Sequence, residues 1–164
     1  MIEYDDFRSA MRRLAAGVSI ISTQGPDGPL GITATAVTSL TPDPASVLCC
    51  INKTSTAGGD AIWSNGTFAL NLLRQEHQDL ACRFAGMTGA HGTEKFSEGA
   101  WSEFPSGSPA LSDSLVSFDC ELDRLVEVGT HYVVIGLITE IRLGELGDPP
   151  LIYCDGTFSG LVSL

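Results

Sequence analysis

The chain has 164 residues, 43% of them hydrophobic, with 18 glycines and a formal net charge of −11. That length and apolar fraction fit one globular domain, residues 1–164, and argue against intrinsic disorder. The acidic balance disfavours nucleic acid, which surplus Lys and Arg would hold. No apolar run approaches the roughly 18 residues that span a bilayer, so no membrane partner is expected. The acidic start, Met1 to Asp6, precedes no apolar signal core, and the expected location is cytoplasmic.

Taken in chain order, Tyr4–Ala15 carries Phe7, Met11, Leu14 and Ala15 at helical spacing, which predicts an amphipathic opening helix. Val18–Thr23 reads as a strand and Gly25-Pro26-Asp27-Gly28 as a turn, with Leu30–Ser39 as the second arm of a hairpin. Thr41-Pro42-Asp43-Pro44 marks a further turn before the apolar strand Val47–Ile51. Ser55 or Thr56 is expected to cap a short helix over Asp60–Asn65. Thr67–Leu73 reads as a strand and Gln75–Phe84 as a helix with Leu80 and Phe84 on one face. Gly86–Ser108, rich in glycine, reads as a long irregular segment of the kind that is usually functional or mobile. Val116–Val128 and His131–Leu143 predict long strands paired across a tight Val128-Gly129-Thr130 connection, and Leu151–Tyr153 and Phe158–Leu161 are expected to close the sheet. Six or seven strands with short flanking helices predict a mainly β fold, a closed or partly closed barrel.

The candidate chemistry begins in Gly31–Ser39. Gly31, Ala34 and Ala36 leave room for a flat ring, and Thr33, Thr35, Thr38 and Ser39 add donors and acceptors; an ordinary threonine-rich strand reads the same way. The cluster Asn52-Lys53-Thr54-Ser55-Thr56 follows at a strand end before a helix start, a place hospitable to phosphate, or equally a surface capping cluster. The chain holds two lysines, Lys53 and Lys95, and an acidic protein that binds an anionic cofactor must place its few cations at the phosphates. Phe96 beside Lys95 offers a ring to cover a bound cofactor, or a loop anchor. His131 opens a strand on the face of Val133, Ile135 and Leu137. His77 and His91 have no neighbouring acid or nucleophile pattern. Cys49 and Cys50 are adjacent in a strand and leave on opposite faces. The five cysteines show no CxxC and no metal-ligand spacing, so no metal site is expected; they read as small hydrophobes in a reducing compartment. GxSxG, HExxH and GxGxxG are absent, which leaves hydrolase, metalloenzyme and Rossmann-type readings weak.

The segments Gly31–Ser39, Val47–Asn52, Phe84–Gly89, Lys95-Phe96 and Gly129–His131 together resemble the short-chain flavin reductases, the reductase components of two-component monooxygenases. The resemblance runs from Phe7 to Tyr153 and implies an FMN-binding split β-barrel and a homodimer. It implies that Thr33, Ala34, Thr35 and Ser39 border the flavin ring, and that Asn52, Lys53, Ser55 and Thr56 bind its phosphate with help from Arg83. Lys95 and Phe96 would close over the flavin, and His131 and Tyr153 would position the nicotinamide. Cys154-Asp155-Gly156 stands where this family often has a basic pair.

The implied activity is NAD(P)H:flavin oxidoreduction, with FMN or FAD reduced by hydride from NADH (or NADPH) and delivered to a separate flavin-dependent oxygenase. The scarcity of Lys and Arg favours NADH. A flavin-binding sensor or carrier without reductase activity is the alternative from another class.

Overall fold

A computed structural model describes residues 1–55 and 59–161. Helix α1 (Tyr4–Met11) and a short strand β1 (Ala16–Gly17) open the chain. Strand β2 (Ser19–Gly25) turns back into β3 (Gly28–Ala34), and β4 (Val37–Pro42) pairs with β5 (Ala45–Asn52) in a second hairpin. Helix α2 (Gly59–Asn65), strand β6 (Thr67–Leu72) and helix α3 (Gln78–Phe84) follow, then β7 (Trp101–Glu103) and β8 (Pro109–Leu111). The long strands β9 (Val116–Val128) and β10 (His131–Leu143) form the largest hairpin, and β11 (Ile152–Cys154) and β12 (Thr157–Ser159) end the fold.

Seven strands make one antiparallel sheet in the order β3-β2-β6-β9-β10-β5-β4. Its two edges, β3 and β4, are consecutive in sequence, separated only by Thr35 and Ala36. The chain therefore pulls one edge of the sheet toward the other and curls it into a barrel split along that seam. The corner is pinned by Val37 N–H donating to the Thr35 carbonyl at 3.0 Å and Cys50 N–H donating to the Ala36 carbonyl at 2.9 Å. A core of Ile21, Ile51, Ile62, Phe68, Leu70 and Val134 fills the barrel. A second core, with Ile20, Leu80, Phe84 and Leu151, packs α3 on the outside. Strand β2 alternates between the two, Ile21 inward and Ile20 outward, which is why its apolar run is continuous.

Four expectations from the sequence change. Leu30–Ser39 is two strands on opposite edges, because the Thr35-Ala36 corner ends one pairing and starts the other. The C-terminal strands do not close the main sheet; β11 pairs with β1 and β12, forming a separate three-stranded sheet. Gly86–Ser108 contains a 3-10 turn, Gly92–Ser97, and strand β7, paired with β8. The opening helix stops at Met11 and buries no side chain.

Candidate active site

A cavity of about 570 Å³ opens at the seam. Its β3 side is made by Ile32, Thr33 and Ala34, continuing through the Thr35-Ala36 corner. Its β5 side is made by Cys50, Ile51 and Asn52, then Thr54 and Ser55 in the turn that follows, with His131 from the start of β10. Phe84 and Ala85 at the end of α3, and Lys95 from the 3-10 turn, complete the wall. The sheet register explains the meeting of distant segments: His131 lies opposite Asn52 across the β10–β5 pairing.

Several of these groups are already committed. The Thr33 hydroxyl donates to the Ala81 carbonyl at 2.7 Å, tying β3 to α3. Asn52 accepts from the Thr54 backbone N–H and hydroxyl, both at 3.0 Å, which folds the strand end into a tight polar turn. Thr130 Oγ1 lies 2.9 Å from His131 Nδ1. The Lys95 ammonium donates to the carbonyls of Phe84 at 3.0 Å and Gly31 at 3.4 Å, and burial pushes its pKa down from the ordinary lysine value. Gly31 fits this corner because a Cβ there would lie 2.5 Å from the Phe84 ring.

Of the residues singled out in the sequence, the cavity brings together Thr33, Ala34, Thr35, Asn52, Ser55, Lys95 and His131. Lys53 is elsewhere: its ammonium pairs with Glu127 and lies 5.5 Å from the centre of the Tyr132 ring. Ser39 lines a different, apolar cavity beside β4. Arg83 turns to the 3-10 turn and donates to the carbonyls of Lys95 (3.0 Å) and Glu94 (2.6 Å) and to Ser97 Oγ (2.8 Å). Phe96 packs between Phe84 and Trp101, with ring centres 4.9 and 4.8 Å away, so it braces the wall without lining it. Tyr153 meets Phe158 edge to face across the β11–β12 pair and is not among the residues that line the cavity. Thr56 lies outside the described residues.

Cys50, Phe84 and Ala85 line the cavity without having been assigned a place there, and Thr54 lines it as a member of the polar cluster read from the sequence. Strand alternation carried the signal for Cys50, since its neighbour Cys49 is fully buried in the barrel core and Cys50 must face the other way. His77 lies apart, its Nδ1 accepting the Arg74 N–H at 3.3 Å, while the Arg74 guanidinium pairs with Glu76, Asp113 and Asp148.

A family model described as flavin reductase like domain matches residues 11–161. The chain is 38% identical over 156 residues to an FMN reductase (NADH), RutF 2, of Rhizobium rhizogenes, covering 95% of this chain and 88% of that protein. Its fold superposes with a TM-score of 0.91 on a Haemophilus somnus structure assigned as a flavin reductase, at 34% identity, covering 98% of this chain and all of the other. A homologue of nitrilotriacetate monooxygenase component B from Mycobacterium thermoresistibile superposes with a TM-score of 0.87 at 29% identity, over 96% of this chain and 86% of that one.

Proposed function

The chain belongs to the family of flavin reductase like domains, and from that premise we infer that it is an NADH-dependent flavin reductase acting on FMN. The observation that carries this reading is the cavity at the split of the barrel. It has one wall of small side chains (Ala34, Thr35, Ala36) wide enough for a planar ring, and a turn of hydroxyl and amide groups at Asn52, Thr54 and Ser55 that suits a phosphate. These groups fit a flavin: small side chains leave the backbone of the wall open to a ring edge, and the Asn52 amide and Ser55 hydroxyl of the turn offer neutral donors to an anion.

When bound, the flavin supplies the hydride acceptor, and NADH supplies the hydride. The protein contributes placement. Thr33, Ala34 and Thr35 would border the ring, Asn52 and Ser55, on the turn that Thr54 folds, would hold the ribityl phosphate, and exposed His131 would orient the nicotinamide. Holding both rings in reacting order is worth several orders of magnitude in rate without any protein acid, base or nucleophile. Lys95 is the only fixed charge among the described lining residues, and the lack of further cations supports NADH over a dinucleotide bearing an additional phosphate.

Reduced flavin is then passed to a separate oxygenase, a reading supported by the likeness to a monooxygenase component. We extend it with a homodimer. Tyr4, Phe7 and Met11 on α1 are all at least half exposed, and an apolar cavity lies beside the edge strand β4, both of them surfaces that a second copy would cover. Sedimentation of a single species at monomer mass would overturn the dimer. No helix among the described residues is long and apolar enough to cross a membrane, and five free cysteines support a reducing, cytoplasmic compartment.

The deciding experiment follows NADH absorbance with purified protein, with and without FMN. Saturable, flavin-dependent oxidation is expected; FMN binding without NADH oxidation would instead indicate a flavin carrier.

A further inference from the structure

Among the described residues Lys95 is a buried cation without a counter-ion. Only 7% of the residue is exposed, and among the described residues its ammonium meets two carbonyl oxygens and no carboxylate. Removing an unpaired ammonium from water is costly. A hydrophobic side chain of similar volume would brace the Gly92–Ser97 turn without that cost. Two carbonyls take two of the three ammonium donors, which leaves one for whatever enters the cavity that Lys95 lines.

The position of the charge limits what that partner is. Lys95 is anchored on Gly31 of β3 and on Phe84 at the end of α3, next to the small-walled stretch Thr33–Thr35. The polar turn Asn52–Ser55 belongs to the β5 side; its Thr54 donors are spent on Asn52, and the Asn52 amide and Ser55 hydroxyl are the neutral donors it offers. The cation is thus on the side of the ring wall, not in the turn suited to the phosphate. A ring that arrives neutral and leaves charged needs its counter-charge there.

We propose that Lys95 is the counter-charge for the reduced flavin ring, the group that makes this site bind the product of hydride transfer more tightly than the oxidised substrate. The inference rests on the reductase reading above. In the reaction NADH loses a hydride from C4, a proton with two electrons, and becomes NAD⁺. The neutral oxidised ring gains that hydride at N5, and the electron pair leaves a negative charge spread along its N1 and C2 carbonyl edge. A fixed ammonium that is itself buried from water acts on such a charge far more strongly than one in solution. It costs no reorganisation, because Phe84 and Gly31 already hold it in place.

The test compares the binding of oxidised and anaerobically reduced FMN to the wild-type protein and to Lys95→Met, with riboflavin in parallel as the ring without phosphate. For Lys95→Met, reduced FMN and reduced riboflavin are expected to bind about tenfold or more weakly, and the oxidised forms to change by less than about threefold. The two-electron potential of bound flavin then falls by about 30 mV for each tenfold difference. Lys95→Gln, which keeps a donor for the Phe84 and Gly31 carbonyls, carries the same expectation if Lys95→Met does not fold. Equal weakening of both redox states of FMN, with riboflavin unaffected, would overturn the proposal and assign Lys95 to the phosphate. Unchanged binding of every form would overturn it in favour of a structural brace. Failure of wild-type protein to bind any flavin would instead defeat the reductase reading itself.

Discussion

His131 and Gly31 show how single positions shape the site. His131 is exposed, lines the cavity opposite Asn52, and has its Nδ1 beside the Thr130 hydroxyl. His131→Ala is expected to lower NADH turnover several-fold and leave FMN affinity nearly unchanged, as read by steady-state kinetics and equilibrium dialysis; unchanged kcat and KM would return the residue to a structural role. Gly31 has ordinary extended backbone, and its value is closeness: the Phe84 ring occupies the space a Cβ would need. Gly31→Ala is expected to cost about 1–3 kcal/mol through overpacking, measured by urea unfolding. Some of this was legible in the sequence, since small residues at Gly31–Ala36 announce a close approach. Lys53 was not. Its partner Glu127 is 74 residues away, and only the pairing of β10 with both β5 and β9 brings the two together.

Helix α3 and the Gly92–Ser97 turn act as one element through Arg83. Its guanidinium holds two carbonyls and one hydroxyl of the turn, and the turn in turn presents Lys95 to the cavity. Arg83→Ala is expected to raise the KM for FMN several-fold with a smaller effect on kcat, and to speed amide hydrogen exchange across residues 92–97. Unaltered exchange there would show that the turn holds without Arg83. Strands β9 and β10 were readable to the residue, because a thirteen-residue run with a glycine turn has one plausible pairing. The break at Thr35-Ala36 was not readable. Nothing in a run of alanines and threonines says that the chain leaves one sheet edge for the other; that is decided by which neighbours remain unpaired after the barrel curls.

For the whole molecule, the barrel core sets a pH dependence. Cys49 and Cys120 are fully buried, and burial pushes the Cys49 thiol up to about 12 and Cys120 upward as well, from the ordinary thiol value of 9.0. In the unfolded chain these thiols ionise near pH 9, whereas in the folded barrel they keep their protons. Stability is therefore complete below pH 9 and falls as pH rises, by about 1.4 kcal/mol per pH unit for each thiol until the folded group itself ionises. Urea midpoints measured on both sides of pH 9 test this, and a flat profile in which Cys49→Val changes nothing would sink it.

The sequence by itself determined the mainly β class, the long hairpin, the small residues of Gly31–Ala36 and the polar turn beside the cavity, because these depend on local periodicity and on residue size. Tertiary structure alone decided where the cations go. Lys53 and Arg83 are spent on a carboxylate and on carbonyls, and Lys95 is left as the only fixed charge in the cavity wall among the described residues. The reason is physical: a charge is drawn to whatever opposite charge or carbonyl the folded chain places nearest, and those neighbours come from strands and turns far away in sequence.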